Sequence, residues 1–135
     1  VISAPLSTSD IYPTLLAAAG IPLPSAQAKL DGENILPLLT DPQLQRQSPI
    51  FFQSPIRGVK YEADSSQLQY AMSVQRFKLF SGDAGRSWQL YDLQDDPAES
   101  RDVSTDFPDI VEAMRTELLN WTKETRRDAQ RHLAP

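Results

Sequence analysis

Apolar positions near the start of the chain follow the period of an α-helix. Four of them fall on one face of a predicted helix: Ile11, Leu15, Leu16 and Ala19. Asp10 is predicted to be the N-cap, because its carboxylate can accept the free amide hydrogens of the first turn. Gly20 is predicted to end the helix in the left-handed conformation, and Pro22 prevents its continuation. A second, very short helix is predicted from Asn34 to Leu39, with Asn34 as its cap.

The middle of the chain changes to the period of two that is typical of a β-strand. Tyr70, Met72 and Val74 alternate with Ala71 and Ser73, which predicts a strand with one buried face. The remaining predicted strands and turns are Pro49–Phe52, a tight turn at Gln75–Arg76, Phe77–Phe80, a turn at Ser81–Ser87, and Trp88–Asp92. Residues 53–67 are predicted to be mostly loop, with a short strand near Gly58–Tyr61 as the alternative.

The end of the chain returns to the helical period. Four apolar residues of the predicted last helix share one face: Val111, Met114, Leu118 and Trp121. Asp106 is predicted as its N-cap, and Pro108 fits the first turn. Residues 127–135 show no periodicity. The whole pattern predicts an α+β fold, in which a small antiparallel sheet of three to four strands packs against the C-terminal amphipathic helix and follows the helical segments.

Composition and charge narrow the possible functions. The 135 residues fit one ordinary domain. A formal net charge of -5 argues against non-specific nucleic-acid binding, which needs a basic face. No apolar run approaches the roughly 18 residues of a membrane span, so neither nucleic acid nor a membrane is expected as a partner. The chain has no cysteine, which excludes disulfides and thiolate sites. It begins at Val1 without a methionine or a signal peptide, and we interpret it as a piece cut from a longer protein.

Three motifs resemble, in the same order, segments of the type I sulfatases, which are formylglycine-dependent, arylsulfatase-like members of the alkaline phosphatase superfamily. The motifs are Ser7–Pro24 (STSDIYPTLLAAAGIPLP), Leu30–Leu39 (LDGENILPLL) and Leu90–Glu99 (LYDLQDDPAE). The resemblance implies that residues 1–45 are the tail end of the large sulfatase α/β domain and residues 46–135 the C-terminal subdomain. Related phosphodiesterases and phosphonate hydrolases have similar tails, so sulfate and phosphate ester chemistry both stay open for the parent enzyme.

The resemblance also implies a chemistry that this chain is expected to lack. A type I sulfatase uses a formylglycine, made from Cys or Ser in a C/S-x-P-x-R motif, beside a divalent cation that is usually calcium. Ser3 precedes Pro5 at the right spacing, but the arginine of the motif is missing, and Ser54 has Pro55 one position early. The single histidine, His132, is expected to be exposed. We therefore predict no catalytic residue and no cofactor here, and a parent that uses calcium and a formylglycine.

Four carboxylates near the third motif suggest a metal site at first: Asp92, Asp95, Asp96 and Glu99. The order of ligands in a calcium-binding EF-hand is absent, and Asp-Pro sequences start turns. The favoured interpretation is structural. Asp92 is expected to close the end of a strand, whereas Asp96 and Glu99 accept backbone hydrogen bonds or pair with a nearby cation such as Arg101. No metal site is predicted.

Arg57, Lys60 and Tyr61 form the candidate substrate-binding group. In sulfatases the C-terminal subdomain can border the active-site cleft, and cationic side chains suit anionic substrates. The alternative for each residue is a place in a solvated loop.

Two functional hypotheses follow. In the first, the chain is the C-terminal portion of a sulfatase and is inactive alone. Its partner is the missing N-terminal catalytic domain, and its parent, periplasmic or secreted, hydrolyses a sulfated small molecule or glycan. In the second, it is a stand-alone binding or assembly module of sulfatase ancestry. Because the apolar face of the first helix would lack the large sheet, residues 1–45 are expected to self-associate or to be disordered.

Overall fold

A computed structural model describes residues 4–23, 30–41, 43–55 and 68–133 of the chain. The described residues form a four-stranded antiparallel sheet, a long C-terminal helix and short helices before the sheet. The predicted α+β class is therefore confirmed. Within this described part, none of the helices combines the length and the apolar character that a membrane crossing requires.

The chain divides into two compact units, and the first comprises Val1–Ile50 with Ser73–Gln75. It contains a 3-10 turn at Thr8–Asp10, helix α1 at Ile11–Ala18 and helix α2 at Leu36–Thr40. Both predicted helices are confirmed.

The caps of these helices differ in part from the prediction. Ser7 is the N-cap of the 3-10 turn, and Asp10 is the third residue of a capping box, since its carboxylate accepts a hydrogen bond from the Ser7 amide at 2.7 Å. Asp10 is the N-cap residue of α1, as predicted, but its side chain makes no capping hydrogen bond to α1, because its carboxylate is used in the preceding turn. Gly20 has the predicted left-handed conformation, with φ of 67°. Helix α2 begins at Leu36, whose amide donates to the Asn34 side chain at 3.1 Å.

The apolar face of α1 is largely open to solvent in the described structure. The exposed fractions are 56% for Ile11, 51% for Tyr12 and 63% for Leu15. Pro13 is the residue of this helix that is buried. Self-association through this face stays a prediction.

The second unit comprises Phe51–Met72 with Arg76–Pro135. The strands of the sheet are β1 at Ile50–Pro55, β2 at Leu68–Val74, β3 at Phe77–Ser81 and β4 at Gln89–Asp92. They lie in the order β1-β2-β3-β4. Strand β3 pairs with β4 in the antiparallel sense, with Leu79 opposite Leu90. The four strands expected within the described residues are confirmed, and β1 extends to Pro55, into residues predicted as loop. The alternative strand near Gly58–Tyr61 lies outside the described residues.

Strand β2 is buried on both faces, which corrects the prediction of one buried face. Tyr70, Ala71 and Met72 are exposed by 4%, 8% and 0%. Strand β2 is an interior strand of the sheet, with β1 on one side and β3 on the other. The alternation of large with small residues therefore marks two packed faces rather than one packed and one solvated face.

Helix α3 extends over Pro108–Leu133 and contacts β3. Its predicted apolar face is confirmed, because Met114 and Leu118 are exposed by 4% and 0%. Burial of a side chain such as Leu118 contributes about 1.5–3 kcal/mol. Trp121 stacks on Phe51, with ring centroids 4.9 Å apart and an interplanar angle of 9°.

Both ends of α3 differ from the prediction. The helix begins at Pro108, so Asp106 lies too early to flank it, and the Asp106 carboxylate accepts a hydrogen bond from Arg101 at 2.9 Å instead. The helix also continues to Leu133 through residues without apolar periodicity. Polar side chains support this last part, as Arg131 pairs with Asp128 at i,i+3 spacing.

Candidate functional site

The acidic turn after β4, residues 92–99, is closed by a cation from the β2–β3 turn. Arg76 forms ion pairs with Asp92 and, at 3.0 Å, with Asp95. The Nε of Arg76 donates to Asp92 Oδ1 at 2.9 Å, and the Gln94 amide donates to the same oxygen at 3.2 Å. Asp92 thus closes the end of the strand, as predicted, and both of its oxygens are engaged.

The other two carboxylates of this turn are engaged as well. Asp96 accepts hydrogen bonds from the Ser100 and Arg101 amides at 2.7 and 2.8 Å. The Arg101 amide, with further help from Ser100, holds the pKa of the Asp96 carboxyl below its usual value. Glu99 binds Lys78 Nζ through both oxygens, at 2.7 and 2.6 Å. The cation that pairs with Glu99 is therefore Lys78 of strand β3. The Arg101 side chain, which the sequence suggested as an example, pairs with Asp106 instead.

A second carboxylate centre lies in the first unit, around Asp10. The Asp10 carboxylate lies 2.6 Å from Arg46 Nη1, and neither side chain is exposed. It also accepts hydrogen bonds from the amides of Ser7 and Glu33, at 2.7 and 3.0 Å. Burial acts to raise the pKa of Asp10, but these bonds outweigh burial and leave the pKa below its usual value.

The first two motifs meet at this centre. A Cβ on Gly32 would lie 2.0 Å from the carbonyl oxygen of Ser9, so the close approach of the two backbones needs glycine at this position. Glu33, the next residue, accepts hydrogen bonds from the amides of Gln47 and Ser48 at 3.4 and 2.8 Å. Arg46, which completes the centre, was not found from the sequence, because nothing local to it indicates a partner 36 residues away.

The second unit contains a cavity of about 250 Å³ on its sheet. We call it the sheet cavity, and its lining residues are Phe52, Ser54, Gln69, Tyr70, Ala71, Lys78 and Phe80. Strands β1, β2 and β3 all contribute to it. The sequence did not reveal this cavity, since its residues are spread over three strands whose pairing has to be known first.

Most of the predicted site residues lie in parts of the chain that the structure does not describe. Arg57, Lys60 and Tyr61 belong to the segment that joins β1 to β2, and they lie outside the described residues. Ser54 lies in β1, where it lines the sheet cavity. His132 belongs to α3, and its side chain lies outside the description.

Comparison with known proteins agrees with the motifs. A family model described as the C-terminal part of N-sulphoglucosamine sulphohydrolase matches residues 2–124. The chain belongs to this sulfatase family. The resemblance to the C-terminal part of a type I sulfatase is thereby confirmed.

Individual relatives are sulfatases too. The chain is 31% identical to Arylsulfatase K of Canis lupus familiaris, over 90% of this chain and 23% of the relative. It is 32% identical to Arylsulfatase K of Mus musculus, over 87% of this chain and 22% of the relative. The chain therefore spans less than a quarter of the length of these curated relatives.

Solved structures give the same fold. The crystal structure of Ps i-CgsB in complex with k-i-k-neocarrahexaose is 25% identical, with a TM-score of 0.69 over 89% of this chain and 25% of that chain. The phosphonate monoester hydrolase of Agrobacterium radiobacter is 27% identical, with a TM-score of 0.54 over 88% of this chain and 25% of that chain.

The cofactors implied by the family do not fit the described residues. No group of three or more His, Asp or Glu within the described ranges could hold a metal ion. The carboxylates of the acidic turn, Asp92, Asp96 and Glu99, already bind Arg76, Lys78 or backbone amides. A formylglycine precursor needs a C/S-x-P-x-R motif, which the sequence does not contain.

Proposed function

We propose that this chain is the C-terminal portion of a sulfatase whose parent hydrolyses a sulfuric ester. The observation that carries this proposal is the match of the sulfatase C-terminal family to residues 2–124. Residues 1–45 would then be the tail end of the large α/β domain, and residues 46–135 the C-terminal subdomain. The large N-terminal catalytic domain is its partner.

The contribution of this chain is structural, and the chain is inactive by itself. Two observations support this role. The carboxylates of the third motif hold the end of β4 to the neighbouring strand through Arg76 and Lys78. The first two motifs hold their own backbone segments together around Asp10. In the parent, calcium and a formylglycine would lie outside this chain. Calcium would polarise the sulfate oxygens, and the formylglycine would provide the nucleophile.

A sulfated glycan is the favoured substrate of the parent. The neighbour with a TM-score of 0.69 is described in complex with k-i-k-neocarrahexaose. Arg57, Lys60 and Tyr61 would line one wall of the substrate cleft. Their position in the connection between β1 and β2, and the positive charge of two of them, support this assignment.

A second candidate function is phosphonate monoester hydrolysis. It is favoured by the likeness to the hydrolase of Agrobacterium radiobacter, at 27% identity and a TM-score of 0.54. The two candidates share the fold of this domain but differ in the ester that the parent cleaves.

The reading frame upstream of Val1 provides the first test. We expect it to encode a C/S-x-P-x-R motif, and mass spectrometry of the parent should find formylglycine at its first position. A frame that lacks this motif would favour the stand-alone binding or assembly module. Substitution of Arg57 by Gln in the parent should raise KM for the sulfate ester, whereas an unchanged KM would remove Arg57 from the cleft.

A further inference from the structure

The sheet cavity combines aromatic rings with a few polar groups. Phe52 and Phe80 contribute phenyl rings, and Phe52 is 52% exposed although it lies within a strand. Ser54, Gln69 and Lys78 are the lining residues whose side chains can form hydrogen bonds. Small-molecule sites usually have this composition, with an apolar wall and a small number of polar groups that fix the orientation of the ligand.

The size of the cavity limits the ligand. Pockets for drug-sized molecules have volumes of roughly 300–1,000 Å³, and the sheet cavity has about 250 Å³. A single six-membered ring with its substituents therefore suits it better than a larger ligand. A pyranose has hydroxyl groups around its edge and an apolar face of C–H groups, which matches hydrogen-bonding side chains beside phenyl rings.

The charge of the cavity favours an uncharged ring. Lys78 is the charged residue among the described lining residues. Its ammonium group is already bound by both carboxylate oxygens of Glu99, at 2.7 and 2.6 Å. An added sulfate would have to compete with Glu99 for Lys78 and would lie near a second negative charge. A neutral hydroxyl group can donate to the carboxylate or accept from the ammonium without breaking the pair.

We propose that the sheet cavity binds one uncharged pyranose unit of a glycan. The biological setting of this inference rests on the proposed function. The bound pyranose would be an unsulfated sugar unit of the glycan that the parent hydrolyses. Binding can be measured without hydrolysis. A failure of the binding experiment and a failure of the proposed function can therefore be told apart.

The test is an NMR titration of the isotopically labelled chain with the methyl pyranosides of glucose, galactose and mannose, each up to about 100 mM. At least one sugar should shift the amide signals of residues 52–54, 69–71 and 78–80. Phe52→Ala should weaken that binding by about tenfold or more. Tyr12→Ala is the matched control, because Tyr12 is equally exposed, by 51% against 52%, but does not line the cavity. Absence of these shifts with all three sugars, or equal binding by Phe52→Ala, would overturn the proposal.

A charge variant tests the preference for a neutral ring. Galactose 6-sulfate should bind the native chain no more tightly than galactose does. Glu99→Gln leaves the Lys78 ammonium without its counter-charge, so this variant should bind galactose 6-sulfate several-fold more tightly than the native chain does. Tighter binding of the sulfated sugar by the native chain would contradict the neutral assignment, and so would an unchanged preference in the variant.

Discussion

Arg46 Nη1 lies 2.6 Å from the carboxylate of Asp10, and both side chains are fully buried. The two residues are 36 positions apart in sequence. The amide of Glu33, which lies between them in sequence, donates to the same carboxylate at 3.0 Å. Asp10 therefore joins three separate segments of the first unit, and the buried ion pair connects the first helix to the chain that leads into the sheet.

Removal of one partner of this pair should be strongly destabilising. Arg46→Met leaves the Asp10 carboxylate buried without its counter-charge, so we expect the free energy of unfolding to fall by about 3–5 kcal/mol. Urea denaturation followed by circular dichroism measures the change. Arg131→Met is the control, because Arg131 and its partner Asp128 are exposed by 78% and 66%, and it should change stability by less than about 0.5 kcal/mol. Equal effects of the two variants would contradict this role for Asp10.

Arg76 allows a comparison of two carboxylates that share one cation. The Asp92 side chain is exposed by 8% and that of Asp95 by 72%. Asp92→Asn should lower the free energy of unfolding by about 1–2 kcal/mol, since the buried end of β4 loses a charge-assisted contact, while partial exposure of Arg76 limits the loss. Asp95→Asn should have an effect below about 0.5 kcal/mol. Urea midpoints of both variants test this order, and a larger effect at Asp95 would disprove it.

Among the glycines that the structure describes, Gly32 is expected to be the most sensitive to substitution by alanine. The added Cβ would lie 2.0 Å from the Ser9 carbonyl oxygen, so the two backbone segments would have to separate. We expect Gly32→Ala to destabilise the protein by about 1–3 kcal/mol, as overpacking does elsewhere. Gly82→Ala is the control, because its Cβ would meet the Phe80 ring at an ordinary 3.4 Å. Thermal denaturation of the two variants should separate them, and a tolerated Gly32→Ala would show that the contact is wrong.

We expect the protein to lose stability in acid, because the pKa values of several carboxyl groups are lowered in the folded state. Hydrogen bonds from the Ser87 amide and the Ser87 hydroxyl, with others, lower the pKa of Asp83 to about 2 from 3.8. Because the pKa is lower in the folded state, this contribution is complete above pH 4 and is lost as the pH falls towards 2. Urea denaturation between pH 5 and 2 should therefore show a smaller decline for Asp83→Asn than for the native chain. An identical decline would mean that Asp83 titrates normally.

The sequence predicted most of the helices and strands correctly. The period of two in Tyr70, Met72 and Val74 identified β2, and Gly20 marked the end of α1 by its conformational freedom. Backbone propensity and turn residues act over a few positions, so their signals are readable without the fold.

Long-range partners could not be predicted in the same way. Lys78 reaches Glu99 and Arg46 reaches Asp10 because of how the chain folds back, and no spacing rule indicates either pair. Likewise, the burial of Ala71 depends on what covers the second face of β2, and α3 continues to Leu133 without an apolar periodicity that marks its end. The sheet cavity needs the pairing of three strands, which local patterns do not contain.

The central claim is that this chain is the structural C-terminal part of a sulfatase. The most direct measurement is the release of 4-nitrophenol from 4-nitrophenyl sulfate by the full reading frame, co-expressed with a formylglycine-generating enzyme, and by the 135-residue chain. We predict turnover of the sulfate ester by the full protein, faster than turnover of a phenylphosphonate ester, and no turnover by the chain by itself. Hydrolysis of the sulfate by the isolated chain, or a full protein that cleaves the phosphonate but not the sulfate, would contradict the account.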